Sequence, residues 1–174
     1  MQEELTKVAK EIVKPGKGIL AVDEFNDGAG ELLAAVGQEN TAENRRKFRE
    51  MLFTTPDLEK YVSGVILYDE TVWQKTSSGV PFPQYLASRG IIPGVKADCN
   101  VVPLLGTDGE VTTQGLDDLV QRSKKYRDAG IRFAKWRCVL QIADNKPSPL
   151  SVNESAHVNA RYAACSQQVS LFRF

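Results

Sequence analysis

Charged side chains stand at the ends of four short apolar runs, and their types suit proton handling and anion binding. Asp23 and Glu24 close Gly18 to Glu24, and Asp69 and Glu70 close Val62 to Glu70. Lys96 and Asp98 close Ile91 to Asp98, while Lys135 and Arg137 flank Trp136 inside Phe133 to Ile142. Lys, Arg and Asp within apolar strands are costly to bury unless they pair or meet a ligand. Lysine and arginine clamp phosphate or carboxylate groups, and a carboxylate beside them can hold a proton or orient a lysine. Lys135 and Arg137 are two apart, so an extended chain sends both to one face. Asp23, Lys96, Lys135 and Arg137 are therefore expected on one rim, facing one interior, as a site for an anionic substrate. Asp69 and Glu70 are read as loop caps, Trp136 as packing, and His157 as a surface residue on a polar helix.

The elements that must position these residues follow from the apolar runs. Continuous β-branched runs of this length suit strands covered on both faces, as in parallel sheets. Helix signals fall between them. Asn40-Thr41-Ala42-Glu43 reads as a capping box with Asn40 at the N-cap, opening a helix to about Phe53 that Thr54 to Pro56 stops. From Gly115 to Ala129, Leu116, Leu119, Val120 and Ser123 share a face, and Gly130 is a C-terminal stop. Ser151 to Glu154 reads as a second capping box, opening a helix towards Gln168. Alternating strands and helices with right-handed crossovers leave two closures, a doubly wound open sheet or a (β/α)8 TIM barrel. Gly28-Ala29-Gly30 lacks the third glycine of a dinucleotide-binding turn, and no phosphate-binding loop of the Gly-Lys-Ser/Thr type is present. The strands begin near residues 18, 62, 91 and 133, so 174 residues hold four to five βα units. A barrel reading thus implies a partial barrel.

Composition narrows the class. Lys and Arg number 22 and Asp and Glu 22, so the formal net charge is zero, which argues against a general nucleic-acid binder. Hydrophobic residues at 42% and charged residues at 25% are ordinary globular values, so the α/β reading needs no special composition. Cys99, Cys138 and Cys165 are widely spaced and form no Cys-x-x-Cys pair; with His157 as sole imidazole, they read as reduced thiols and not as a metal site. No apolar run approaches the roughly 20 residues that cross a bilayer, and the N-terminal stretch is amphipathic, not a signal peptide. A cytoplasmic protein without a membrane partner is expected.

Seven segments in this order resemble class I fructose-bisphosphate aldolase: GKGILAVDE, the text from Glu39 to Pro56, SGVILYDET, QKTSSGVPF, RGIIPGVKAD, GTDGEVTTQGLDDL and FAKWRCVL. The resemblance runs from about Leu5 to Gln168. Residues 1–168 are accordingly read as the N-terminal half of a (β/α)8 barrel, about its first four βα units. Residues 169–174, with Val169, Leu171, Phe172 and Phe174, are read as a divergent apolar tail. The resemblance implies reversible cleavage of fructose 1,6-bisphosphate into two triose phosphates through a lysine Schiff base. It also implies no metal or cofactor, a sugar-phosphate substrate, a homotetramer and a place in the glycolytic cytosol.

It assigns catalytic roles to Asp23, which would orient the Schiff-base lysine, and to Lys135, which would assist carbinolamine turnover. Lys96 and Arg137 would bind the sugar phosphate. Glu31 and Leu32 occupy positions where the family carries basic residues. The Schiff-base lysine of the sixth strand and the glutamate of the fifth have no counterpart, so this length of chain is expected not to cleave the substrate by itself. Two other readings stay open: a non-catalytic fragment that contacts full-length subunits, and a small phosphate-binding module. In each case two open sheet edges are expected to leave apolar surface in water.

Overall fold

The computed structural model describes residues 2–173. Helix α1 (Gln2–Ile12) precedes strand β1 (Gly18–Val22), which leads into α2 (Asn26–Ala34), α3 (Ala42–Phe53) and the short α4 (Leu58–Tyr61). Strand β2 (Val62–Leu67) follows, then α5 (Asp69–Val72), α6 (Phe82–Ser88) and β3 (Ile92–Lys96). A hairpin of β4 (Val101–Pro103) and β5 (Val111–Thr113) separates β3 from α7 (Leu119–Asp128) and β6 (Phe133–Lys135). The long α8 (Pro149–Gln168) and β7 (Phe172–Arg173) complete the order.

Five strands form one parallel sheet in the order β1-β2-β3-β6-β7, with β4 and β5 paired antiparallel apart from it. This agrees with the expected partial (β/α)8 barrel, and among the described residues β1 and β7 are the edges. Strand alternation divides the sheet into two faces. Val65, Leu67, Val95, Ala97, Ala134 and Trp136 face the helices, among Phe53, Phe82, Leu86, Tyr126 and Tyr162. Trp136 stacks on Tyr162 with ring centroids 5.1 Å apart, a packing role. On the other face Ile66 and Phe133 pack with Val8 and Ile12 of α1. The amphipathic N-terminal helix thus covers the side of the sheet that the other helices leave bare.

Several local expectations are corrected. The N-cap of α3 is Thr41, whose hydroxyl accepts from the Asn44 amide at 3.1 Å, and not Asn40. Asn40 is drawn off by tertiary partners: its amide donates to the Asn26 carbonyl and its oxygen accepts from Arg45. Glu43 pairs with Arg46 instead of closing a capping box. Helix α8 starts earlier than Ser151: Ser148 is the N-cap, accepting from the Ser151 amide at 3.2 Å. Pro149 fixes the first turn behind it. Helix α7 is shorter than the span from Gly115 to Ala129, although Gly130 does take the left-handed conformation, φ 104°, that stops it. Gly28-Ala29-Gly30 lies within α2 and forms no phosphate loop. A Cβ on Gly30 would lie 2.3 Å from the Asn40 side-chain amide, so a larger residue there would push Asn40 out of place.

The run from Phe133 to Ile142 is a strand only as far as Lys135. Beyond it, side chains take the backbone groups that a ladder would use: Asp98 accepts from the Arg137 amide and Thr113 donates to the Arg137 carbonyl. The residues after Gln168 are integrated with the sheet. Val169 and Leu171 are buried, and Phe172 and Arg173 pair in parallel with Phe133 and Ala134. Phe174 lies outside the described residues.

Candidate functional site

The inner face of the sheet is layered, and the layering is written as alternate residues along each strand. Register places Ala21 beside Ile66, Ile66 beside Gly94, and Gly94 beside Phe133, whose neighbour is Phe172. This lower layer is apolar and closely fitted. A Cβ on Gly94 would lie 2.2 Å from the Phe133 ring, and one on Gly64 would lie 3.2 Å from Ile12 and Phe133. Two residues further along each strand the chemistry changes. Asp23 follows Ala21, Lys96 follows Gly94, and Lys135 follows Phe133, with Lys96 and Lys135 in register as neighbours.

The Asp23 carboxylate accepts a hydrogen bond from Lys135 Nζ at 2.7 Å. In a flat sheet β1 and β6 would be three strand spacings apart, about 14 Å. The pair therefore forms because the sheet curls, and it marks the inside of the curl. Asp23 is nearly buried, while the Lys135 side chain keeps 29% of its surface. Lys96 is more enclosed: its side chain is 4% exposed, paired with an Asp98 carboxylate that is 1% exposed. The Phe25 ring lies 4.1 Å from Lys96 Nζ, a cation–π contact that covers the amine. Asp98 also accepts from the amides of Asn100 and Arg137, both at 3.2 Å. It is at once the counter-ion of Lys96 and the tie between the ends of β3 and β6.

The four residues singled out in the sequence all lie at the carboxyl ends of β1, β3 and β6. The structure joins Asp23 to Lys135 directly and sets Lys96 beside Lys135. Arg137 is different: it stands two residues beyond the end of β6 with an exposed side chain, and only its backbone contacts Asp98. A cleft of about 440 Å³ opens beside Lys96, with Phe25, Tyr68, Asp98, Asn100 and Arg122 among its walls. That volume is in the range of small-molecule sites. Two lysines, each beside a carboxylate, can offer ammonium donors to an anion while the carboxylates hold protons in turn.

Asp69 and Glu70 are more than loop caps. They sit in the first turn of α5, where Asp69 accepts from the Tyr126 hydroxyl at 2.7 Å and Glu70 receives both arms of Arg45, at 2.9 and 2.6 Å. Burial, then the hydrogen bond to Asp69, pushes the Tyr126 hydroxyl well above its ordinary pKa. The hydrogen bond to Glu70 raises Arg45 likewise. Sequence reasoning missed the cationic face of α3, where Arg45, Arg49 and Phe53 are buried at intervals of four. That spacing was a usable signal, since arginines at i and i+4 share the face that carries Phe53. His157 is exposed on α8, as its polar surroundings indicated. Among the described residues no group of three or more His, Cys, Asp or Glu is arranged to hold a metal ion, and no helix is long and apolar enough to cross a membrane.

The family profile described as "Fructose-bisphosphate aldolase class-I" matches residues 4–173. The fructose-bisphosphate aldolase of Echinococcus multilocularis is 55% identical over 170 residues, covering 97% of this chain and 47% of the relative. That of Drosophila melanogaster is 52% identical over 168 residues, covering 96% and 46%. "Fructose-bisphosphate aldolase, cytoplasmic isozyme 1" of Pisum sativum is 51% identical over 172 residues, covering 99% and 48%. Among solved structures, fructose-bisphosphate aldolase from Plasmodium falciparum, crystallised with TRAP and a small-molecule inhibitor, matches with a TM-score of 0.95 at 46% identity. The match covers 98% of this chain and 50% of that one. The chain spans about half the length of the curated relatives it matches.

Proposed function

This chain belongs to the class I fructose-bisphosphate aldolase family, and on that premise we propose that its 174 residues supply the sugar-phosphate half of an aldolase site. The reaction is the reversible cleavage of fructose 1,6-bisphosphate to dihydroxyacetone phosphate and glyceraldehyde 3-phosphate. The observation that carries this reading is the Asp23–Lys135 pair, brought together from β1 and β6 inside the curl of the sheet. In it the Asp23 carboxylate accepts and returns a proton at the reacting end of the substrate, and the Lys135 ammonium stabilises negative charge developing on a substrate oxygen. Lys96 and Arg137 bind phosphate, Arg137 through an exposed guanidinium and Lys96 by exchanging its Asp98 partner for the ligand.

The covalent step belongs elsewhere. By resemblance the nucleophilic lysine stands on the sixth barrel strand, and these residues hold five parallel strands. Without the nucleophile the Schiff-base path is closed rather than slowed. These 174 residues alone are expected to bind triose phosphate weakly and to cleave nothing. Borohydride reduction in the presence of dihydroxyacetone phosphate, followed by intact-mass measurement, should show no trapped adduct. Stoichiometric labelling of Lys96 or Lys135 with measurable turnover would overturn this reading.

A cytoplasmic location fits the same reading and is supported by the cytoplasmic isozyme among the relatives. A second reading is favoured by the two sheet edges, β1 and β7, which pair with no further strand among the described residues. It makes this chain a non-catalytic partner that associates with full-length subunits of the family. Native mass spectrometry of a mixture with a full-length relative tests it: mixed oligomers support association, and their absence at micromolar concentration rejects it.

A further inference from the structure

Asp23 sits where its strand has run out of support. Among the described residues β1 is an edge strand, and its ladder with β2 ends at the pair Val22 and Leu67. The backbone on either side of Asp23 is held instead by one side chain from α3. Arg49 donates from Nε to the Val22 carbonyl at 3.3 Å and from Nη2 to the Glu24 carbonyl at 2.9 Å. The two acceptors straddle Asp23. Arg49 is itself fully buried, 0% exposed, and burial holds its guanidinium below the ordinary arginine pKa. Enclosing a guanidinium this deeply is unfavourable unless its geometry is used.

That geometry is fixed from behind. Glu70 lies 3.8 Å from Arg49 Nη1 while it receives both arms of Arg45. Arg45 continues to Asn40 at 2.6 Å, and Asn40 to the Asn26 carbonyl at 3.0 Å, just beyond the same turn. The Tyr68 ring lies 5.9 Å from the Arg49 guanidinium carbon. The arginine is thus wedged between Glu70, Tyr68 and the end of β1. Its Nη1 has no hydrogen-bond partner among the described residues, so the wedge is kept at the cost of an unsatisfied donor.

We infer that Arg49 is a positioning residue: its fork fixes the backbone through Val22, Asp23 and Glu24 and so aims the Asp23 carboxylate at Lys135. It does not touch the substrate. The inference rests on Asp23 and Lys135 being the working pair, but its test reads the pair's geometry and not catalysis, so it stands or falls apart from any aldolase activity. A planar fork can span two carbonyls from two fixed nitrogens, whereas a lysine carries all its donors on one nitrogen at the end of a flexible stem and holds the pair less firmly.

The test uses the full chain and the scalar coupling across the hydrogen bond from Lys135 Nζ to Asp23 Cγ, measured by NMR. It compares the parent with R49M, R49K and R89M. Arg89 serves as control because it clamps the carbonyls of Phe53 and Thr55 and pairs with Glu59, a similar structural fork away from Asp23. The coupling should be lost in R49M, fall about twofold in R49K and stay at the parent value in R89M. An unchanged coupling in R49K or R49M, or an equal loss in R89M, would overturn the assignment, as would its absence from the parent. Should R49M not fold, R49K against R89M decides the matter alone.

Discussion

The lower and upper layers of the sheet's inner face are two residues apart on the same strands, yet they do opposite work. Phe133 and Gly94 sit in a fitted apolar layer sealed by α1, while Lys135 and Lys96, the next inward residues, form a layer of ion pairs beside a cleft. The lower layer gains from burial, about 2–3 kcal/mol for a side chain such as Phe133. The upper layer gains little. Ion pairs taken from water lose nearly as much in desolvation as they recover in attraction, so the proposed ligand, and not stability, is what lysines there would serve. Stability and ligand affinity are therefore expected to separate along a single strand.

Four measurements would break or sharpen that separation. Phe133→Ala should remove about 3–5 kcal/mol of stability in denaturant unfolding, because the space between Gly94 and Ile12 cannot easily collapse. Loss of less than about 1 kcal/mol would mean the lower layer is not a packed core. Arg137→Ala should instead weaken dihydroxyacetone phosphate binding by about 1.5–3 kcal/mol in calorimetry. Its effect on stability should stay within about 0.5 kcal/mol. Identical affinity in the variant would remove Arg137 from the site.

Gly94→Ala should cost about 1–3 kcal/mol in stability by overpacking, since the added methyl meets the Phe133 ring. The smallest effect concerns acid. Hydrogen bonds from Ser148 hold the Glu110 carboxyl below its ordinary pKa, tying the β4–β5 hairpin to the start of α8. A carboxyl lowered by folding stabilises the protein above its unfolded pKa and loses that contribution as pH falls through the folded value. Glu110→Gln should therefore flatten the fall in melting temperature below about pH 5. Phe133→Ala, which removes no titrating group, should lower the whole curve and leave that slope unchanged.

The parallel strands and the convergence of Asp23, Lys96 and Lys135 were legible because they rest on repeats of two and on charge in apolar runs, which tertiary context rarely erases; Arg137, expected beside them, lies past the strand end. Capping was less legible. Asn40 and Thr41 are both good N-caps, and a partner in α2, out of reach of local pattern, takes Asn40 and leaves Thr41. At α8 the better signal was Ser148 before Pro149, which outranks a capping box three residues later. The end of β6 was hidden for a similar reason, since the groups that cut its ladder, Asp98 and Thr113, come from other segments. Arg49 escaped notice because charge in a helix normally means a solvated face. Here it marks the face that turns inward.

Each parallel strand after β1 pairs with the parallel strand before it in the chain, and among the described residues the strands set between them, β4 and β5, pair with each other. Such a sheet can be laid down in the order in which its residues leave a ribosome, each unit docking on an edge already present. The exception is the ion pair proposed as the working pair: Asp23 and Lys135 are 112 positions apart. At ordinary synthesis rates of about 5–20 residues per second, Asp23 waits on the order of 10 s for its partner. Through that interval Arg49, only 27 positions from Val22, can already hold the turn in place. The carboxylate would then meet Lys135 already aimed.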